Sequence, residues 1–162
     1  MDKLPITLAG LRKMEAELKH LKTVERPNII EAIAVARDHG DLSENAEYSS
    51  AKEKQSFIEG RIQELEGKIA LADVIDPTKI KSEKIMFGAT VTLVDVETEK
   101  EVTYSLVGTE EANLDKGLIS VGTPIARALL GKTEGDEVTV QAPGRTRVYE
   151  VAKVAYKEIK LD

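Results

Sequence analysis

The sequence has little of what many binding and redox sites are built from. It has no cysteine, which excludes disulfide bonds and thiolate metal ligands. It also has no tryptophan, and aromatic residues make up only 4% of its 162 residues, too few to line a pocket with stacked rings. The N-terminal segment MDKLPITLAG contains no apolar run long enough for export or for spanning a membrane. We therefore expect a cytoplasmic protein that makes no membrane contact.

An excess of basic charge is also missing. The chain has 23 Lys and Arg against 29 Asp and Glu, for a formal net charge of −6. Residues 1–75 hold 11 basic and 14 acidic side chains and residues 76–162 hold 12 and 15, so each half carries −3. A protein that binds free nucleic acid by neutralising phosphates needs a basic surface. We therefore expect no strong binding to free nucleic acid, and because no segment specifies an oligomer, we expect a monomer.

The first half of the sequence has apolar residues at steps of three and four, the spacing of a coiled-coil seam. In the first arm this pattern starts at Leu8, behind Thr7, which is a candidate N-cap. The arms meet at residues 39–42, where Gly40 can end one helix and Asp41 can cap the next. Two matched seams joined by a short turn predict an antiparallel pair of helices.

The two arms together predict a long helical hairpin over residues 1–76. Pro27 lies inside the first arm and lacks a backbone N–H, so we expect it to kink or distort the helix near Arg26. Gly60 and Gly67 lie inside the second arm. We interpret them as positions that allow the two helices to approach closely rather than as helix ends.

After Pro77 the apolar period changes to two, which is typical of strands. Pro124 and Gly131 are spaced to begin and end one short helix in this half. The pattern predicts an α+β domain with an antiparallel sheet over residues 77–162. The predicted strands occupy residues 89–94, 102–107, 118–121, 137–141 and 148–154.

The segment RDHGDLSENAEY at residues 37–48 resembles the hairpin-tip signature of the GreA/GreB transcript-cleavage factors. Further segments resemble the same family in the same order, so the resemblance covers essentially the whole chain. It implies an N-terminal coiled coil and a C-terminal domain similar to FK506-binding proteins. These further segments are residues 26–27, 57–61, 87–91, 118–121, 123–127 and 131–132.

The resemblance implies an accessory factor rather than an enzyme, and its implied partner is bacterial RNA polymerase. The hairpin of such a factor enters the polymerase secondary channel, while the C-terminal domain anchors on the polymerase. There it stimulates the polymerase to cleave the 3′ end of a backtracked RNA. By the same resemblance, Asp41 and Glu44 retain a Mg²⁺ ion in the polymerase active site. Two exposed carboxylates bind this strongly hydrated ion weakly, so we expect little Mg²⁺ affinity in the free protein.

The resemblance implies that four further residues contact RNA or support the tip: Arg37, Asn45, Tyr48 and Lys52. Lys52 stands where relatives more often carry Arg, and lysine lacks the bidentate fork of arginine. Several residues of the tip also fit purely structural roles. Asn45 is also ordinary polarity in a first helical turn, and Tyr48 also fits packing across the seam. The spacing of Asp41 and Glu44 also fits a capping box at a helix start.

Three other functions compete with transcript cleavage. A factor that blocks the polymerase channel without cleavage is one, although the intact acidic pair favours cleavage. A peptidyl-prolyl isomerase is the second, because of the resemblance of the C-terminal domain, but the scarcity of aromatic residues argues against a proline pocket. A coiled-coil scaffold unrelated to transcription is the third.

Overall fold

The computed structural model describes residues 3–40 and 45–161. Its internal contacts divide into a helical unit, Arg12–Leu71, and a second unit that combines residues 3–11 with residues 72–161. The boundary predicted from the sequence is at residue 76, with the whole N-terminus in the hairpin. The structure differs because the N-terminal strand pairs in parallel with a strand that follows the hairpin.

The first arm of the helical unit is interrupted where the sequence predicted a distortion. Helix α1 (Leu8–His20) continues into a π-helical turn (Leu21–Glu25), and helix α2 (Arg26–Arg37) follows directly. Pro27 lies in the first turn of α2, but Glu25 and Arg26 before it are already helical, so its missing N–H removes one hydrogen bond from a continuous helix. The prediction of a distortion near Arg26 is confirmed.

The second arm is one uninterrupted helix, α3 (Ala46–Leu71), which spans roughly 39 Å at the usual rise per residue. It packs against α2 through a buried apolar cluster, as the matched seams predicted. Gly60 and Gly67 are exposed, and a Cβ built on either glycine would meet nothing within 4 Å. The prediction that they permit close helix approach is therefore wrong. The buried cluster consists of Ile29, Ile33, Ile58 and Ile62, flanked by Leu18, Leu21, Tyr48 and Ala51.

Ion pairs flank this apolar seam. Arg61 donates from Nε and from a terminal guanidinium nitrogen to the two carboxylate oxygens of Glu17, at 2.6 and 3.0 Å. Arg26 binds Glu59 in the same bidentate way, at 2.9 and 2.8 Å. These pairs join residues that are 44 and 33 positions apart in the sequence, so they fix the register of one arm against the other.

The second unit begins with a two-stranded parallel sheet, in which β1 (Leu4–Thr7) pairs with β2 (Ala72–Ile75). The Glu111 carboxylate is buried beside β1, where it accepts hydrogen bonds from the Thr7 backbone N–H at 3.0 Å and from the Thr7 hydroxyl. It also accepts from the Gly108 N–H at 3.1 Å. The Thr7 hydroxyl in turn accepts from the Gly10 N–H at 3.1 Å, which confirms Thr7 as the N-cap of α1.

A five-stranded sheet and one short helix form the rest of this unit. The strand order is β5-β4-β3-β7-β6, and all neighbours are antiparallel except β4 and β5, which are parallel. The α+β class predicted from the sequence is confirmed, but the sheet is mixed rather than purely antiparallel. The elements are β3 (Thr90–Asp95), β4 (Glu101–Val107), β5 (Leu118–Ser120), α4 (Pro124–Leu129), β6 (Glu137–Ala142) and β7 (Arg145–Ala155).

The helix α4 covers the apolar face of this sheet. Ala126 and Leu129 are fully buried and share a core with Val91, Leu93 and Val151. No helix in the described ranges is long and apolar enough to cross a membrane.

The hairpin tip as candidate functional site

The candidate catalytic residues, Asp41 and Glu44, lie outside the described residues. Their predicted role therefore stays a prediction, and so does that of the Mg²⁺ ion. The structure does describe the residues on both sides of them, which include the end of α2 and the start of α3. These two helix ends are the described part of the tip.

The first arm ends in a series of turn hydrogen bonds. The Asp38 N–H is shared between the carbonyls of Ala34 and Val35, at 3.3 and 3.2 Å, and the His39 N–H donates to the Ala36 carbonyl at 3.2 Å. Gly40 follows with a φ of 109°, a conformation that side chains with a Cβ rarely adopt. The prediction that Gly40 ends the first helix is confirmed.

The second arm begins at Asn45, which caps α3. Its Oδ1 accepts a hydrogen bond from the Tyr48 backbone N–H at 3.0 Å, the usual contact of an N-cap residue. Its Nδ2 donates to the Ala36 carbonyl on the first arm at 2.7 Å. Asn45 is therefore the N-cap of α3, which begins at Ala46, and the predicted Asp41 cap lies outside the described residues.

Tyr48 joins the seam and the first arm. It is half-buried against the apolar cluster, which agrees with the packing interpretation. The guanidinium carbon of Arg37 lies 5.9 Å from the centroid of its ring, within the range of a cation–π contact. Arg37 is thus positioned by a side chain of the opposite arm. A second contact across the tip joins His39 Nδ1 to Glu47 Oε2 at 3.2 Å.

Lys52 is exposed one helical turn beyond Tyr48, and residues four positions apart on a helix are surface neighbours. Its Nζ makes one long hydrogen bond, 3.4 Å, to Gln55 Oε1. No hydrogen bond joins Lys52 to Arg37 in the parts of the chain that the structure describes. Arg37 therefore contacts the Tyr48 ring and Lys52 contacts Gln55, and the RNA-binding role of the two cations stays a prediction.

The donor chemistry of the tip bears on the Mg²⁺ ion that the sequence analysis predicted. The described residues contain no group of three or more His, Cys, Asp or Glu side chains that could hold a metal ion. The side-chain oxygen and nitrogen of Asn45 are both engaged in hydrogen bonds within the hairpin. The carboxylates of Asp41 and Glu44 are hard oxygen donors of the kind that Mg²⁺ prefers. They fit as a partial ligand set that needs further donors.

Sequence reasoning missed the double role of Asn45. The signal that could have found it is the position of an asparagine directly before the second amphipathic run, three residues ahead of Tyr48. The cap was predicted at Asp41 instead, among the acidic residues nearby. The bond from Asn45 to Ala36 depends on the fold of the turn, and no sequence pattern encodes it.

Comparison with known proteins identifies the family. Residues 4–74 match the family described as transcription elongation factor, N-terminal, and residues 80–156 match transcription elongation factor, GreA/GreB, C-term. The chain belongs to the GreA/GreB family of transcription elongation factors. It is 62% identical over 156 residues to the transcription elongation factor GreA of Ruegeria pomeroyi, which covers 96% of this chain and 99% of that protein.

A second relative has the same name. The transcription elongation factor GreA of Alkalilimnicola ehrlichii is 60% identical over 157 residues, covering 96% of this chain and 99% of that protein. Among solved structures, the transcription elongation factor GreA/GreB from Nitrosomonas europaea is 22% identical, with a TM-score of 0.43 over 95% of this chain and 100% of that one.

Proposed function

We propose that this chain is a transcription elongation factor that binds bacterial RNA polymerase and stimulates it to cleave the 3′ end of backtracked RNA. The observation that carries the proposal is the match along nearly the full length of both chains to relatives named transcription elongation factor GreA, at 62% identity. The match includes both halves of the chain. The polymerase is the enzyme, and this protein is its accessory factor.

In this proposal the helical hairpin enters the secondary channel of the polymerase. A narrow pair of helices suits a channel, and α3 alone is roughly 39 Å long. Insertion requires that the tip keep its shape without a surrounding domain. Three features that join the two arms support this proposal: the Asn45 hydrogen bonds, the Arg37–Tyr48 contact and the buried seam. We assign residues 77–162 the role of anchoring on the polymerase surface.

Asp41 and Glu44 provide the chemistry in this proposal. Their carboxylates would hold a Mg²⁺ ion that completes its coordination with donors from the polymerase and the RNA, which explains why a pair is sufficient. The bound ion supplies stabilisation of the negative charge on the phosphate oxygens during hydrolysis. Arg37 and Lys52 would contact RNA phosphates, and the ring of Tyr48 holds the Arg37 guanidinium in place.

The test is gel analysis of a 3′-labelled, stalled transcript bound to RNA polymerase, with and without this protein. We expect faster RNA cleavage with the wild-type protein, and no stimulation with Asp41→Ala or Glu44→Ala. Both variants should bind polymerase as the wild type does, because the hydrogen bonds of Asn45 remain. Asp38→Ala is the matched control, since it removes one exposed carboxylate close to the tip, and it should retain stimulation.

The outcome also separates the competing functions. Inhibition of elongation by the wild-type protein without any cleavage would identify a channel-blocking factor instead. Normal cleavage by both acidic variants, with the hairpin folded by circular dichroism, would overturn the role assigned to Asp41 and Glu44.

A further inference from the structure

The core-facing side of β7 ends in two arginines. Alternate residues of a strand share a face, and Tyr149 and Val151 of this strand are buried in the core. Arg147 and Arg145 continue the same row toward the β6–β7 turn, and Arg147 lies opposite the buried Val140 in the strand pairing. The row thus changes from apolar to cationic where the core ends.

These arginines line a cavity of about 360 Å³, which lies within the size range of small-molecule sites. Its lining includes residues of the turn between β3 and β4, together with Tyr104 and Tyr149. The remaining lining residues are Asp95, Thr98, Lys100, Glu101 and Val102.

The positive charge in this cavity is not neutralised by ion pairing. Within the described ranges, neither Arg145 nor Arg147 forms a salt bridge. Asp95 is the buried acid of the cavity, and its Oδ1 accepts hydrogen bonds from the backbone N–H groups of Glu97 and Thr98, at 2.9 and 3.2 Å. Because neither guanidinium group is held in an ion pair, both are available to an anion.

The fields of the arginines reach the interior of the cavity. The pKa of Asp95 lies below its usual value, chiefly because the Thr98 amide donates to it, and the charges of Arg147 and Arg145 lower it further. Burial raises the pKa of the Tyr104 hydroxyl, and the charge of Arg147 opposes that shift. The charges of the two arginines therefore favour a negatively charged group beside them.

We propose that this cavity binds a nucleotide, with Arg145 and Arg147 on its phosphate and the Tyr104 ring against its base. Guanidinium groups match phosphate oxygens in a bidentate geometry, and an aromatic ring offers a stacking surface to any base. The carboxylates of Asp95 and Glu101 also line the cavity and can accept hydrogen bonds from the amino group of a base, which favours a nucleotide over inorganic phosphate.

The experiment is an NMR titration of the full-length, ¹⁵N-labelled protein with adenosine monophosphate, followed through the amide and arginine side-chain resonances of the cavity. It needs no polymerase, so its outcome is independent of the transcription assay. We expect saturable shifts at the cavity residues, weaker binding of inorganic phosphate and no binding of adenosine. Arg145→Gln and Arg147→Gln should each weaken binding about tenfold or more, the size expected for a lost charge-assisted hydrogen bond.

Two further variants sharpen the test. Arg147→Lys keeps the charge but loses the fork, so binding should fall between wild type and Arg147→Gln. Arg127→Gln is the matched control, because Arg127 is exposed on α4 outside the cavity, and it should bind as the wild type does. Equal losses in Arg127→Gln and Arg147→Gln would overturn the site. Equal binding of inorganic phosphate and adenosine monophosphate, or stronger binding of an oligoglutamate peptide, would overturn the nucleotide assignment.

Discussion

The side-chain amide of Asn45 donates a 2.7 Å hydrogen bond to the backbone carbonyl of Ala36, which joins the start of the second arm to the end of the first. Ala36 is only 2% exposed, so this bond is shielded from water. The same side chain caps α3 through the Tyr48 N–H. One residue therefore closes the hairpin and starts its second helix, directly beside the acidic pair.

We predict that two substitutions distinguish the two roles of Asn45, which are the cap of α3 and the hydrogen bond to Ala36. Asn45→Ala loses both bonds and should destabilise the protein by about 2 kcal/mol, combining a lost cap with a lost hydrogen bond. Asn45→Asp keeps the cap oxygen but loses the donor to Ala36, so about half of that loss is expected. Urea unfolding followed by circular dichroism measures both. Asn28→Ala, on an exposed position of α2, is the control, and an equal effect there would contradict the assignment.

Glycine-to-alanine substitutions should have opposite effects in two places. Gly60→Ala and Gly67→Ala should each stabilise the protein by about 0.5–1 kcal/mol, because alanine is the better helix former and the added Cβ meets nothing. In Gly10→Ala the new Cβ would lie 2.5 Å from the buried Glu111 Cδ, so we expect a loss of about 1–3 kcal/mol. Thermal unfolding of the three variants gives the comparison. Destabilisation by Gly60→Ala would show that this face of α3 is packed.

These glycines also show where sequence patterns reach their limit. The apolar spacing predicted both arms, since a seam at steps of three and four specifies which face of each helix is buried. The same spacing cannot say whether an exposed-side glycine is near another chain segment. Gly60 fits a close-approach interpretation in the sequence, yet Gly10, which drew no attention, is the position where a side chain does not fit.

The sheet unit shows the same division between local and long-range information. Period-two alternation located the strands to within a few residues, because alternate side chains are buried on one face. The pairing of β1 with β2 joins Leu4 to Ala72, and the bond between Thr7 and Glu111 spans 104 positions. Neither leaves a local pattern, so the sequence predicted neither of these two strands, and both segments were assigned to the hairpin. Asp41, in contrast, is prominent in the sequence because its motif is formed by neighbouring residues.

The buried carboxylate of Glu111 gives a third prediction. Glu111→Ala leaves the N–H groups of Thr7 and Gly108 without their acceptor, and each unsatisfied buried donor costs about 1–3 kcal/mol. Hydrogen exchange of the Thr7 and Gly108 amides should accelerate more than that of amides in β3. Glu137→Ala, at an exposed position of β6, is the control and should change neither. Unchanged exchange at Thr7 in Glu111→Ala would contradict the hydrogen bonds assigned to this carboxylate.

The bidentate pair between Arg61 and Glu17 predicts a specific pH dependence of stability. The Arg61 hydrogen bonds hold the pKa of Glu17 below its usual 4.5. Because the folded-state pKa is the lower one, the stabilisation is complete above the usual pKa and is lost as the pH falls through the folded-state value. Glu17→Gln should therefore lower the free energy of unfolding at neutral pH by about 0.5–1 kcal/mol, the range for partly exposed pairs.

That difference between wild type and Glu17→Gln should shrink as the pH is lowered below 4.5 and vanish below the folded-state pKa of Glu17, because the wild-type carboxyl is then protonated and both side chains are neutral. Urea unfolding at neutral and acid pH measures it. Glu64 remains near Arg61, at 3.2 Å, so the variant retains part of the interaction and the loss stays small. Glu15→Gln, which removes an exposed charge from the same helix, controls for net charge and should show no such trend. A difference of constant size from neutral to acid pH would mean that packing of the Glu17 side chain, rather than its charge, stabilises the hairpin.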